Sequence, residues 1–269
     1  MTGVEPSAQR IDTSKPHPAR VYDWMLDGKD NYPVDEELGR QMLTLSPHAK
    51  QGAKDNRHFM RRAIRWLTGP AGIRQFLDIG TGIPTEPNLH QIAQTIAPET
   101  RVVYVDNDPI VLAHAGALLK STPEGVTEYI EADVRTPDSI ISQAREILDF
   151  RKPIAVSLVA LLHFVTDEDG AIEHVRTLVD ALPSGSYLVL TQLTADLYGD
   201  SMQRAVDIYS AGGITLVLRS RADVEGIISG LELVDPGIVL LDEWHPELGD
   251  EQRPDIDRAA IYALVARKP

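Results

Sequence analysis

Residues 75–85 read QFLDIGTGIPT, and they are the strongest indication of the fold in the sequence. The stretch starts as a short apolar run that ends at Gly80, and an apolar stripe with helical spacing follows between Leu89 and Ile96. Gly80 and Gly82 allow the backbone to turn sharply and to approach a ligand closely. Because a Gly-x-Gly pair also occurs in ordinary tight turns, it predicts a nucleotide-cradling loop only together with its surroundings.

The rest of the chain continues this alternation of strands and helices. Strands are predicted at residues 75–79, 101–105, 128–132, 154–159, 186–192, 233–241 and 260–266, with helical stripes between most of them. The Asp108-Pro109 pair predicts the start of one of these helices, with an acidic cap and a proline at the first position. The pattern predicts an α/β fold: a Rossmann-like, doubly wound and mostly parallel seven-stranded sheet.

Three acidic side chains follow the first three predicted strands: Asp78, Asp106 and Asp133. In an open parallel sheet, ligands bind at the carboxyl ends of the strands. A carboxylate at Asp106 can accept hydrogen bonds from both ribose hydroxyls, with Asp108 as the alternative. A carboxylate at Asp133 can accept from the amino group of adenine while the next backbone N–H meets a ring nitrogen; alternatively, Asp133 begins a turn.

These motifs resemble a known family. Residues 74–267 look like a class I S-adenosylmethionine-dependent methyltransferase, whose acid-x-Gly-x-Gly-x-Gly motif matches at Asp78, Gly80 and Gly82 and departs at Pro84. More narrowly, nearly the whole chain resembles the actinobacterial S-adenosyl methyltransferase family first catalogued as a domain of unknown function, in which Pro84 is expected. The stretches that carry this resemblance are residues 18–23, 28–32, 76–82, 84–85 and 162–164.

The resemblance implies S-adenosylmethionine as cofactor and S-adenosylhomocysteine as product. In the resemblance, Val159 and Ala160 flank the methionine part, and Asn31 binds its carboxylate or a substrate. The cofactor-binding residues that follow are Asp78, Gly80, Thr81, Gly82, Asp106, Asn107, Asp133, Val134, Val159, Ala160 and Asn31.

His163 is the candidate catalytic residue. It comes just after the fourth predicted strand, where an acceptor would approach the methyl group. An imidazole titrates near neutral pH and can deprotonate a hydroxyl or amine. The alternative is a histidine that bonds to the backbone and shapes the pocket.

The residues before the sheet suggest three parts to the chain. Residues 1–18 are polar, rich in proline and without periodicity, and predict a flexible tail. Residues 19–70 predict helices broken by turns, which we expect to form a lid over a core of residues 71–269. Four arginines on the last of these helices are interpreted as solvated surface: Arg57, Arg61, Arg62 and Arg65.

Composition limits the classes of function. The net charge is -14, which disfavours a nucleic-acid partner, since phosphates are bound by Lys and Arg. The chain has no cysteine, and no His-x-x-x-His pair lies on a predicted helix, so no metal site is expected. The apolar runs are too short to span a membrane and no signal peptide is recognised, which predicts a cytoplasmic protein without membrane partners.

The leading hypothesis is methyl transfer from S-adenosylmethionine to an unidentified small-molecule acceptor, with the oligomeric state left open. A non-catalytic regulatory module that binds S-adenosylmethionine is the alternative. A nicotinamide-dependent oxidoreductase is a third possibility, against which Pro84, Asp133 and the lack of a Tyr-x-x-x-Lys pair weigh.

Overall fold

The computed structural model describes residues 12–118, 120–249 and 258–269. Its N-terminal part consists of three helices: α1 (Pro18–Met25), α2 (Pro33–Leu45) and α3 (Ala49–Thr68). A proline at the first position begins both α1 and α2, where its missing N–H costs no hydrogen bond. The turn between α1 and α2 closes over the carboxylate of Asp23, which accepts the backbone N–H of Asp30 at 2.9 Å.

A mixed sheet follows, and the predicted Rossmann-like fold is confirmed. Five strands run parallel: β1 (Gln75–Ile79), β2 (Arg101–Asp106), β3 (Val126–Glu131), β4 (Ala155–Leu158) and β5 (Tyr187–Leu193). Three more pair around an antiparallel edge: β6 (Glu232–Leu233), β7 (Val239–Leu240) and β8 (Ile261–Arg267). The order is β3-β2-β1-β4-β5-β8-β6, with β7 also on β8.

The described part of the chain thus has eight strands where seven were expected. The difference lies in the predicted strand 233–241, which the structure divides into β6 and β7. The dividing segment contains Asp235, Pro236 and Gly237, and Gly237 has a φ of 90°. A proline cannot donate a ladder hydrogen bond and a left-handed glycine turns the chain, so a single strand cannot continue through this segment.

Six helices connect the strands: α4 (Leu89–Ile96), α5 (Pro109–Leu118), α6 (Pro137–Ala144), α7 (Ala171–Asp180), α8 (Gly199–Ala211) and α9 (Arg221–Ile227). The predicted cap of α5 is confirmed, because Asp108 Oδ1 accepts the N–H of Ile110 at 3.0 Å. Helix α8 was not predicted. Its apolar residues Met202, Ala205, Val206 and Tyr209 do recur at helical spacing, but Ala205 is the one that the structure buries, so the stripe is a weak indication of a core-facing helix.

The sheet is buried on both faces. Alternate residues of each strand point to opposite faces, so Leu77 packs into one apolar cluster and its neighbour Phe76 into another. A third cluster joins α1 and α2 to the segment after α8, and we call it the N-terminal cluster. Its residues include Val21, Tyr22, Met25, Leu38, Ala53, Phe164, Tyr209 and Ile214.

Candidate active site

A cavity of about 370 Å³ lies at the carboxyl ends of β1–β4. This volume is in the range of small-molecule binding sites. Its floor is made by the loops after these strands, and its walls by α1, α3 and the segment after α8. Among the residues predicted from sequence, the cavity brings together Asp78, Gly80, Thr81, Gly82, Asp106, Asn107, Asp133, Val134, Val159 and Ala160.

The loop after β1 depends on its two glycines. Gly80 and Gly82 have φ values of 72° and 66°, in the left-handed region that other residues rarely adopt. A Cβ at Gly80 would lie 2.6 Å from Leu161 Cδ1, so even alanine would clash there. The glycines therefore leave room for the loop to curl tightly at the edge of the cavity.

Asp106 ends β2 and is held from two sides. Its Oδ2 accepts the N–H of Gly82 at 2.7 Å, and its Oδ1 accepts the N–H of Asp108 at 3.0 Å. Burial raises the pKa of this carboxyl, while the two backbone hydrogen bonds oppose the rise. The carboxylate is thus fixed at the cavity floor, and its remaining lone pairs are available to a ligand.

Asp133 begins the turn after β3 and also lines the cavity. Its Oδ1 accepts the N–H of Arg135 at 2.8 Å, and its Oδ2 accepts Asn107 Nδ2 at 2.7 Å. The Arg135 guanidinium lies 3.2 Å from the same carboxylate. Asp133 therefore starts a turn, as one of the two alternatives predicted, and it also presents a carboxylate at the rim of the cavity.

Asp78 is the acid whose ionisation the cavity perturbs most clearly. Burial raises the pKa of its carboxyl to about 6, and Ser157 and the positive charge of Arg57 oppose part of the rise. Thr81 Oγ1 donates to Asp78 Oδ2 at 3.2 Å. A nearby ligand cation would favour the ionised form of this side chain.

Ala160 follows β4 in an unusual backbone conformation. Its φ is 57°, and its N–H donates to Thr191 Oγ1 at 2.8 Å. A non-glycine residue is held in the left-handed region only where its surroundings impose it. Here the neighbouring strand β5 imposes it, and the chain turns at the cavity directly after Val159.

The prediction of a solvated arginine face is wrong, because Arg62 is buried and Arg57, Arg61 and Arg65 are half-buried. Arg62 is buried and donates to the carbonyl of Trp244. Arg57 lines the cavity, and its Nη2 donates to the Thr85 carbonyl at 2.6 Å. Sequence spacing alone gave no sign of this, because the apolar stripe of α3 faces the sheet while Arg57 lies at its border.

Asn31 does not line the cavity. Its Nδ2 donates to Asp23 Oδ2 at 2.8 Å and to the Gly28 carbonyl at 3.2 Å, so the side chain is used within the turn. Gly28 is required there, since a Cβ would lie 2.0 Å from Asp23 Oδ1. The GKDN motif at 28–31 is explained by the structure of the turn.

His163 is not brought to the cavity either. It lies on a 3₁₀ turn, Leu162–Phe164, in which residues three apart share a face. Leu161 and Phe164 face the cavity, and His163 points elsewhere. Burial lowers the pKa of its imidazole to about 3, and the charge of Arg219 adds to this. The ring is therefore neutral and a weak base, which disfavours the general-base role predicted from its position.

Part of the predicted tail forms a wall of the cavity. Residues 1–11 lie outside the described residues, but Pro16 and His17 line the cavity. His17 Nδ1 lies 2.8 Å from Asp108 Oδ2, and its backbone N–H donates to Asp35 Oδ1 at 2.9 Å. Arg20 forms a buried ion pair with Asp35 at 3.3 Å. These contacts fix the start of α1 against the carboxyl-end edge of the sheet.

Within the described ranges, no helix is long and apolar enough to cross a membrane. The same residues contain no cluster of three or more His, Asp or Glu side chains suited to a metal ion.

A family model described as S-adenosyl methyltransferase matches residues 4–269. The chain belongs to this S-adenosyl methyltransferase family. The match confirms the resemblance seen in the motifs and confirms S-adenosylmethionine as the cofactor. The family is one of methyltransferases, not of nicotinamide-dependent oxidoreductases. No curated protein matches the sequence.

Solved structures agree with the family. A DUF574 family protein from Streptomyces avermitilis is 49% identical, with a TM-score of 0.91 over 97% of this chain and all of that one. A protein assigned as a methyltransferase from Thermobifida fusca is 37% identical, with a TM-score of 0.86 and 99% of each chain covered. An Anabaena variabilis methyltransferase that depends on S-adenosylmethionine shares the fold at 13% identity and a TM-score of 0.52.

The cavity of this family member suits the cofactor chemically. Because Gly80 and Gly82 have no side chains and a left-handed backbone, a ligand can come close to the backbone of the loop after β1. Carboxylates at Asp106 and Asp133 can accept from hydroxyl and amino groups, and Arg57 offers a buried Nε without a partner among the described residues. This donor and acceptor set fits a molecule that carries a ribose, an adenine and an amino acid.

Proposed function

We propose that the chain is an enzyme that transfers the methyl group of S-adenosylmethionine to a small-molecule acceptor. The observation that carries the proposal is the division of one cavity into two parts. A polar floor at β1–β3 matches the cofactor, and an apolar wall from the N-terminal cluster, which includes Tyr22, Phe164 and Ile214, continues beyond it. A module that only binds the cofactor has no need of the apolar wall. The presence of this wall therefore favours an enzyme.

The floor residues receive the following roles in this proposal. Asp106 accepts from the ribose hydroxyls, while Asp133 and the N–H of Val134 meet the edge of adenine, with Asn107 supporting Asp133. Gly80 and Gly82 allow the backbone to approach the cofactor, and Thr81 holds Asp78. Val159 and Ala160 flank the methionine part.

Two further groups bind the amino-acid end. Asp78 takes the ammonium group, whose charge favours the ionised carboxylate. Arg57 takes the carboxylate, replacing Asn31 in that role, because Arg57 reaches the cavity and Asn31 does not. A charge-assisted hydrogen bond of this kind is about twice as strong as a neutral one.

When bound, S-adenosylmethionine supplies a methyl group made electrophilic by its sulfonium. The chain contributes orientation and the exclusion of water. A protein base is not part of the proposal: His163 is buried away from the cavity, and the Tyr22 hydroxyl already donates to the Ala53 carbonyl at 3.1 Å. Burial raises the pKa of Tyr22, which disfavours its phenolate. The acceptor must therefore react through a lone pair that needs no deprotonation by the protein. The new bond to the methyl group replaces the bond to sulfur, with S-adenosylhomocysteine as the leaving group, and the proton released by an O–H or N–H acceptor passes to water.

The helices of residues 19–70 act as the lid in this proposal, over a core of residues 71–269. They place Tyr22, Arg57 and Met60 on the cavity wall. We expect residues 18–32 to exchange amide hydrogens more slowly when S-adenosylhomocysteine is bound, because a lid is stabilised by what it covers. Equal exchange with and without the product would show that this segment is a fixed wall.

The proposal is tested by incubating the protein with S-adenosylmethionine and a library of small molecules. Mass spectrometry then follows formation of S-adenosylhomocysteine together with a library member that has gained one methyl group. The Asp106→Ala variant is the control, since it should form less of both products when the cofactor concentration is close to the Kd of the wild type. Binding of S-adenosylmethionine without turnover of any compound, and turnover of nucleic acid instead, would both contradict the proposal.

A further inference from the structure

One buried polar atom in the cavity wall is not used by the cofactor contacts above: Asn56 Oδ1. Asn56 lies on α3, its side chain is 2% exposed, and it lines the cavity. Its Nδ2 donates to Tyr22 Oη at 2.9 Å, and that hydroxyl donates to the carbonyl of Ala53. The amide nitrogen is thereby fixed against Tyr22.

The oxygen of the same amide has no hydrogen-bond partner in the part of the chain that the structure describes. A buried acceptor without a donor is costly, because it loses the hydrogen bonds that water would supply. An occupant of the cavity that offers an N–H or O–H to Asn56 Oδ1 would remove this cost. The atom therefore points to a ligand with a hydrogen-bond donor.

The surroundings of Asn56 are apolar. Met60 lies one turn further along α3 and lines the cavity on the same face. Tyr22, Phe164 and Ile214 belong to the N-terminal cluster and line the cavity as well. A carboxylate or ammonium against these side chains would be desolvated, which is strongly unfavourable without an opposite charge. The charged group nearest along α3, Arg57, is assigned to the cofactor carboxylate in the proposed function.

We propose that this wall binds a neutral, largely apolar acceptor that donates a hydrogen bond to Asn56 Oδ1. Asn56 is then a specificity-determining residue: it selects acceptors that carry an N–H or O–H and fixes their orientation. The inference rests on the proposed function, because it assigns the polar floor to the cofactor and this wall to the acceptor.

The test uses indole and indene, two bicyclic probes of similar shape, of which indole alone has an N–H donor. The protein is saturated with S-adenosylhomocysteine, and each probe is titrated while protein NMR signals are followed. Indole should bind the wild type at least about fivefold more tightly than indene, which is the effect of one neutral hydrogen bond. Asn56→Leu should remove the preference.

Met60→Leu is the matched control. It changes an apolar side chain on the same wall, so it should alter the affinity for both probes alike and leave their ratio unchanged. The affinity for S-adenosylhomocysteine, measured by calorimetry, should stay within about twofold of wild type in both variants, because neither side chain is assigned to the cofactor.

Equal affinities of the wild type for the two probes, or no binding of indole, would overturn the inference. A loss of S-adenosylhomocysteine affinity of about tenfold or more in folded Asn56→Leu would also overturn it, since Asn56 would then belong to the cofactor site. If Asn56→Leu does not fold, the wild-type ratio of the two probes still decides. Failure of the wild type to bind S-adenosylhomocysteine would instead contradict the proposed function.

Discussion

Replacing Asp106 by alanine should weaken the binding of S-adenosylmethionine more than it weakens the fold. The carboxylate is 7% exposed and accepts hydrogen bonds from the N–H groups of Gly82 and Asp108. In the proposed role it also accepts from the ribose. Loss of those ligand bonds should cost about 1–3 kcal/mol, which corresponds to roughly 5- to 150-fold in Kd.

The same substitution has two opposing effects on the free protein. The N–H groups of Gly82 and Asp108 lose their acceptor, each at a cost of about 0.5–1.5 kcal/mol. Burial raises the pKa of Asp106, which means that the ionised carboxylate is unfavourable in the folded protein. Its removal therefore offsets part of that cost. The net loss of unfolding free energy should therefore stay below about 3 kcal/mol, and the variant should remain folded.

Calorimetry on folded protein measures the binding, and Asp108→Asn is the matched control. Asp108 is a buried acid two residues away, and it caps α5 and contacts His17 instead of offering itself to the ribose. The Asp108→Asn substitution should change thermal stability while leaving the Kd for S-adenosylmethionine within about twofold of wild type. An unchanged Kd in Asp106→Ala, or a loss confined to Asp108→Asn, would refute the ribose assignment.

Three other perturbations follow from the site. Because burial raises the pKa of Asp78 to about 6, the affinity for S-adenosylmethionine should fall as pH drops through that value. In calorimetry between pH 5 and 8, the affinity of the wild type should fall about tenfold per pH unit below the pKa, and the affinity of Asp78→Asn should not change with pH. The same pH dependence in Asp78→Asn would show that another group is responsible. Gly80→Ala puts a Cβ 2.6 Å from Leu161 Cδ1 at a residue whose φ is 72°. Cofactor binding should therefore fall below detection in calorimetry. A Kd equal to that of the wild type would contradict the argument that the backbone approaches the cofactor closely at Gly80. Asp35→Ala leaves Arg20 buried without its counter-charge and should cost about 3–5 kcal/mol in urea unfolding, whereas a loss under about 1 kcal/mol would show that water reaches the pair.

The fold and the acids of the site were predictable because they depend on strong local patterns. Apolar runs such as the one before Asp78 are long enough to define strands, and parallel strands must bring their carboxyl ends together. The alignment of Asp78, Asp106 and Asp133 on one cavity follows from that topology alone. Helix α8 was missed because its apolar residues, which have helical spacing, are few and only Ala205 among them is buried.

The residues proposed for the acceptor side were not predictable for a different reason. Which side chain of a short turn faces a cavity depends on the register of one 3₁₀ turn. In this turn Phe164 lines the cavity and His163 is buried away from it. Arg57 and Asn56 sit on a helix whose apolar stripe indicates only the face towards the sheet. Their contacts depend on how α1 packs against α3, a tertiary arrangement that spacing along the chain does not encode.

The most direct test of the account is a crystal structure of the protein with S-adenosylhomocysteine. The account predicts the ribose on Asp106, the adenine beside Asp133, the carboxylate on Arg57, and an open apolar space between the sulfur and Tyr22, Asn56 and Phe164. A product molecule bound elsewhere, or one that fills this space and leaves no access to its sulfur, would contradict the claim that this cavity transfers a methyl group.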